Sequence, residues 1–178
     1  MSELCVTSME QTSDKYTASI KERGKPSEAV LLNQLLSVAL EQIDKCWKAD
    51  EYADKADGFS KAAFATYQLS KATESQGYAE KCLDIDTLHT SCYVLLALSQ
   101  KELRKSGDAK RTIAKGIQVA KVVVDKSQRS FFDTSEKLKA ERGYFERKNL
   151  ELDLRLLRAN IKHAEYDLEV LEGLAASK

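Results

Sequence analysis

From Ser27 to Gly173 apolar side chains return at steps of three and four, and no proline interrupts them; the single proline is Pro26. Such spacing is the helical period. Only 7 glycines and 1 proline occur in the chain, too few turn-formers for a β-sandwich or barrel. Beyond Lys25 the commonest residues are Leu, Ala, Lys and Glu, which lose little side-chain freedom in a helix. The chain therefore reads as an all-α protein.

Along the chain three regions are expected. Residues 1–25 carry weak periodicity and many Ser, Thr, Lys and Glu, and read as a flexible arm. Residues 26–128 read as a domain of paired helices. The first starts at Pro26-Ser27-Glu28, where Ser27 suits the cap and Glu28 the positive end of the dipole, and runs to about Asp50. A second continues the helical spacing through Tyr52, Ala56, Phe59, Ala63, Phe64 and Tyr67, after a turn between Ala49 and Gly58, and runs to about Lys71. A third spans about Glu74 to Ile85, with Asp86-Thr87 as turn and cap for a fourth that includes Leu88 and Leu103. Gly107 is expected as a left-handed cap and Asp108 as the cap of the next helix. After Asp125–Arg129 the pattern changes, and residues 129–178 read as one long C-terminal helix from Ser130 to Gly173.

Tyr78-Ala79-Glu80-Lys81-Cys82-Leu83-Asp84-Ile85-Asp86 resembles the close of a tetratricopeptide repeat, with Cys82 at its small position and Thr87 in place of its proline. Counted back, Phe59 and Ala63 fall at the family's Trp and first small positions. Ser106-Gly107-Asp108 resembles the turn inside the next unit, roughly residues 88–121, whose first helix reads as long for the family and whose Gly116 stands where an aromatic is usual. The resemblance covers about 65 residues at a period near 34. It implies stacked antiparallel helix pairs and a face that grips a peptide or helix of another protein. In that register the face falls near Ser60, Lys61, Thr66, Tyr67, Tyr93, Ala97, Gln100 and Lys101. Lys61 and Lys101 are placed to meet a partner's carboxylates.

Leu150, Leu154, Leu157, Ile161, Ala164, Leu168 and Leu171 alternate steps of four and three, a 3.5-residue repeat. The stripe is either a seam folded back on its own domain or a homo-oligomer contact. In a parallel homodimer Asp153 would meet Arg158 favourably and Asp167 would meet Glu172 unfavourably, so the charges do not select that arrangement. Leu152, Leu156 and Tyr166 widen the stripe.

Twenty-eight basic residues balance 28 acidic ones, which argues against a nucleic-acid binder that relies on a general positive field. The N-terminal stretch lacks a signal-peptide pattern and no apolar run has membrane length, so the expectation is a cytoplasmic protein without a membrane span. Cys5, Cys46, Cys82 and Cys92 form no C-x-x-C pair, and the last three are read as reduced, buried, inert thiols. Cys82, His89 and Cys92 make a faint cluster that specifies neither metal nor nucleophile, and no phosphate loop or hydrolase motif occurs. The reading is a non-enzymatic interaction module without cofactor or metal.

Overall fold

A computed structural model describes residues 28–45 and 52–177 of the chain. The fold is all-α. Its helices are α1 (Glu28–Lys45), α2 (Tyr52–Gln68), α3 (Ala72–Ile85), α4 (Thr90–Glu102), α5 (Ser106–Ala140) and α6 (Tyr144–Ala176), with no strand among the described residues. The arm expected over 1–25 and the end of the first helix near Asp50 lie outside the described residues. The chain divides into two compact units after Lys110, within α5.

In the first unit small side chains set the spacing. Ala39, Ala56, Ala62, Ala63, Ala65 and Ala79 are buried. Helices separated by methyl groups approach closely, and dispersion contacts between the rods then accumulate. At Gly58 α1 and α2 approach closely: a Cβ there would lie 2.9 Å from Ile43 Cγ1 and 3.4 Å from the Ala39 carbonyl oxygen. Asp57-Gly58 therefore does not interrupt α2, which starts at Tyr52 and runs straight through. α2 and α3 are antiparallel, with Phe59 and Ala56 clustered with Cys82, and Ala63 with Ala79. α3 and α4 are antiparallel as well, since Cys82 meets Cys92, Ala79 meets Leu95, and Ser75 meets Ser99. α4 also packs on α2, through Leu95 and Leu96 against Ala63.

A buried hydroxyl relay ties the three helices. Ser99 Oγ donates to Ser75 Oγ at 2.9 Å, and Ser75 Oγ donates to the Ala63 carbonyl at 2.8 Å. Each buried oxygen thereby finds a partner, which avoids the desolvation penalty of an orphan.

The turns that close α2 and α4 are the same structure, one repeat period apart. Ser70 and Arg104 both take φ 59°. Around Ser70, Ser70 N–H donates to Tyr67 O and Lys71 N–H to Thr66 O; around Arg104, Arg104 N–H donates to Lys101 O and Lys105 N–H to Gln100 O. This is the left-handed close that satisfies the last carbonyls of a helix. The left-handed residue is thus Arg104, not Gly107, which lies in the first turn of α5 with Asp108. In this register Phe59 matches Tyr93, Ala63 matches Ala97, Ser75 matches Ala109 and Cys82 matches Gly116, and every one of these residues is buried. Gly116 therefore stands at a small position, not an aromatic one. The first helix of the second pair is 13 residues long against 17 for α2, shorter rather than longer.

In the second unit α5 and α6 run antiparallel. Lys121 pairs with Glu172 at 3.2 Å, Gln128 reaches Glu165, Arg158 lies over the Phe131 ring, and Arg147 donates to the Leu138 carbonyl. The expected break at Asp125–Arg129 is absent. Arg129 and Asp125 instead form an i,i+4 ion pair on a continuous helix. The break falls at Glu141–Gly143, where the Glu141 carboxylate accepts from the Arg142 and Gly143 N–H groups. The single long helix expected over Ser130–Gly173 is therefore two helices.

Candidate interaction face and cysteine–histidine cluster

The residues expected to face a partner separate into two groups. Ser60, Tyr93, Ala97 and Gln100 are buried, as is Thr66. Thr66 Oγ1 donates back to Ala62 O, and Tyr93 Oη donates to Thr87 O. These side chains hold the fold. Lys61 and Tyr67 are half-buried and Lys101 is exposed, so these three reach the surface. Lys61 is ion-paired with Asp57 and donates to Gln42 Oε1. Burial raises the Tyr67 phenol above its ordinary pKa, and the Glu102 carboxylate adds to the rise. The phenol at the end of α2 thus feels the carboxylate at the end of α4.

Phe64 continues the apolar spacing of α2, yet it is 44% exposed. Its mate one repeat period on is Leu98, half-buried on α4. Phe64, Tyr67, Leu98 and Lys101 therefore repeat as an aromatic and aliphatic pair followed by a polar-tipped pair on two neighbouring helices. The signal that finds them is the repeat register, since apolar spacing alone makes Phe64 look like core.

Cys82 and Cys92 form a disulfide between the last turn of α3 and the first turn of α4. Both are fully buried. The expectation of reduced, inert thiols is corrected at these two positions; Cys46 and Cys5 lie outside the described residues. The reason is topological: the antiparallel register of α3 and α4 brings residues ten apart face to face, with Cα atoms 6.4 Å apart, inside bridging range. The connection itself is ordered by Asp86, whose carboxylate accepts from Leu88 N–H at 2.9 Å. The cap residue of α4 is His89, not Thr87, and its ring sits with both sulfurs: the three ligand atoms lie within 4.8 Å of one another. Leu88 is exposed in the turn, not inward.

No family model, curated protein or solved structure matches this chain.

On α6 the heptad positions Leu150, Leu154, Leu157, Ile161 and Leu168 are half-buried, while Ala164 and Leu171 are buried. The α5–α6 contacts through Arg147, Arg158, Glu165 and Glu172 run along the edge of this seam, so α5 lies beside it. Arg158 and Glu172, which a parallel homodimer would set against a second copy, are engaged by Phe131 and Lys121 of the same chain. The opposite face of α6 is also apolar. Phe145, Leu152, Leu156 and Tyr166 lie on it, each more than half exposed. The widened stripe is thus two stripes on two faces. His163 is exposed, and its Nε2 lies 3.7 Å from Asp167. Among the described residues no helix is long and apolar enough to cross a membrane.

Proposed function

We propose that this chain is a non-enzymatic protein–protein interaction module of the tetratricopeptide-like kind, working in the cytoplasm as an adaptor, scaffold or chaperone. One observation supports the reading: the same left-handed turn recurs at Ser70 and Arg104, so that Phe64 and Tyr67 of α2 and Leu98 and Lys101 of α4 occupy the same places in two successive helix pairs. A helix pair of this size cannot bury both of its faces, so repeated pairs leave a repeated surface. Apolar anchors flanked at helical spacing by Lys61, Gln68, Lys101 and Glu102 suit an amphipathic or extended segment of a partner, with the apolar side chains supplying affinity and the charges register. Neither a cofactor nor a nucleic acid enters this reading. The test is a binding isotherm between the purified chain and a partner captured with it. Phe64→Ala with Leu98→Ala should weaken that binding about 30-fold or more without lowering helix content; unchanged binding in the double variant removes the reading.

A second reading, homo-oligomerisation through α6, is favoured by the outer stripe rather than by the heptad seam. Leu152, Leu156, Tyr166 and half-buried Val170 follow the heptad spacing of a coiled-coil seam. Two such faces in parallel set Lys148 opposite Asp153 of a second copy. Light scattering decides between the two: a chain that stays monomeric at high concentration excludes this one.

A further inference from the structure

Cys82 and Cys92 do more than fill space. The residue one repeat period on from Cys82 is Gly116, also buried, so the packing at that position asks for a small volume and not for sulfur. His89 is half-buried at the connection, its ring nitrogen within 4.8 Å of both sulfur atoms. The ligand atoms of a tetrahedral zinc site, at about 2.3 Å for sulfur and about 2.0 Å for nitrogen, sit roughly 3.3 to 3.8 Å from one another. The three side chains already converge on one point, and the two sulfurs, bonded in the disulfide, need only part to reach that spacing. The Cα separation of 6.4 Å lets the sulfurs part by side-chain rotation once their bond is cut. Cys92 also lies in the first turn of α4, whose positive end favours its thiolate.

We infer that Cys82, Cys92 and His89 form a redox-gated site for Zn²⁺, in which the disulfide and the metal are alternative ties between α3 and α4. A dithiol reductant opens the site by thiol–disulfide exchange. It gives two electrons and two protons to the Cys82–Cys92 bond, and is itself oxidised to a disulfide. Zn²⁺ then binds as the two thiols release their protons to solvent. The ligands are two thiolates and the neutral His89 imidazole, and their charge cancels that of the ion. A water completes the four-coordinate set, as in zinc sites with three protein ligands. In a reducing compartment the pair is kept as thiols, and the metal becomes the tie.

The experiment uses the full chain with Cys5→Ser and Cys46→Ser, so that these two sulfurs contribute nothing. The probe is Co²⁺, titrated into the reduced and the oxidised protein and then displaced by Zn²⁺. Reduced protein should take one Co²⁺ per chain, with a thiolate-to-cobalt band in the near ultraviolet and the visible bands of tetrahedral cobalt. Oxidised protein should show neither. His89→Ala retains both sulfurs and should weaken binding roughly tenfold or more; Cys92→Ser should remove the thiolate band or halve it. Zn²⁺ should raise the melting temperature of the reduced chain only. Because the reduced and oxidised comparison needs no change at the site, it stands even if a cysteine variant fails to fold. The inference is overturned by a reduced chain without a thiolate band, by equal binding in both redox states, or by a His89→Ala chain that binds as tightly as its parent.

Discussion

Removing the hydroxyl of Ser75 should cost more than removing that of Ser99, and the two costs should not add. Ser75 is the middle of the relay from Ser99 Oγ to the Ala63 carbonyl, and both serines are fully buried. A buried neutral hydrogen bond contributes about 1 kcal/mol net. Ser99→Ala breaks one bond and leaves Ser75 still donating to Ala63, so about 1 kcal/mol is lost. Ser75→Ala breaks both and strands the Ser99 hydroxyl, so about 2 kcal/mol or slightly more is lost. The double variant breaks the same two bonds and strands nothing, so it should also lose about 2 kcal/mol. The cycle then shows a coupling of about 1 kcal/mol. Native-state hydrogen exchange of amides in α2, α3 and α4 reads these losses locally, which matters because the chain has two compact units. Additive losses within about 0.3 kcal/mol, or a Ser99→Ala chain weaker than Ser75→Ala, would refute the relay.

Other expectations follow from the same packing. Gly58→Ala should destabilise by about 1 kcal/mol although alanine is the better helix former, because the new methyl meets Ile43; urea unfolding should show part of that loss cancelled when Ile43→Ala is added. Tyr67 has its pKa raised in the folded state, by burial first and Glu102 second. Its contribution is fully present below the ordinary tyrosine pKa near 10 and is lost as pH climbs through the raised folded value. Melting temperatures at alkaline pH, followed upward from just below that ordinary value, should therefore fall less steeply for Tyr67→Phe than for the parent chain. Leu157→Glu, on the half-buried seam, should loosen α5 from α6 by about 2 kcal/mol. Leu152→Glu, on the exposed face, should leave helix content unchanged, and circular dichroism with light scattering separates the two.

Much of the fold could be read from side-chain order alone. The stripes through α3 and α4 mark their extents to within a few residues, because strict spacing at three and four leaves little choice of face. Failures came where a weak local signal stood in for a tertiary one. Gly107 looks like the left-handed cap, yet Arg104 adopts that conformation; the cost of about 1–2 kcal/mol is small beside keeping the helix ends in register. Asp125 to Arg129 looks like a loop because it is polar, but it holds no helix breaker and pairs its own charges along an exposed face. Phe64 shares the apolar spacing of its neighbours, and only the repeat register separates it from them. The Cys82–Cys92–His89 cluster is visible as composition. Its meeting depends on the antiparallel register of α3 and α4, which no local window contains.

The face on α2 and α4 can be probed most directly by photo-crosslinking in cells. Benzoyl-phenylalanine would replace Phe64 or Leu98, and in control chains Gln76 or Lys110, the matching pair on the second helices of the two hairpins. Adducts to one defined protein from positions 64 and 98, with none from 76 and 110, are the predicted result. Adducts that arise equally from all four positions, or only from 76 and 110, contradict it.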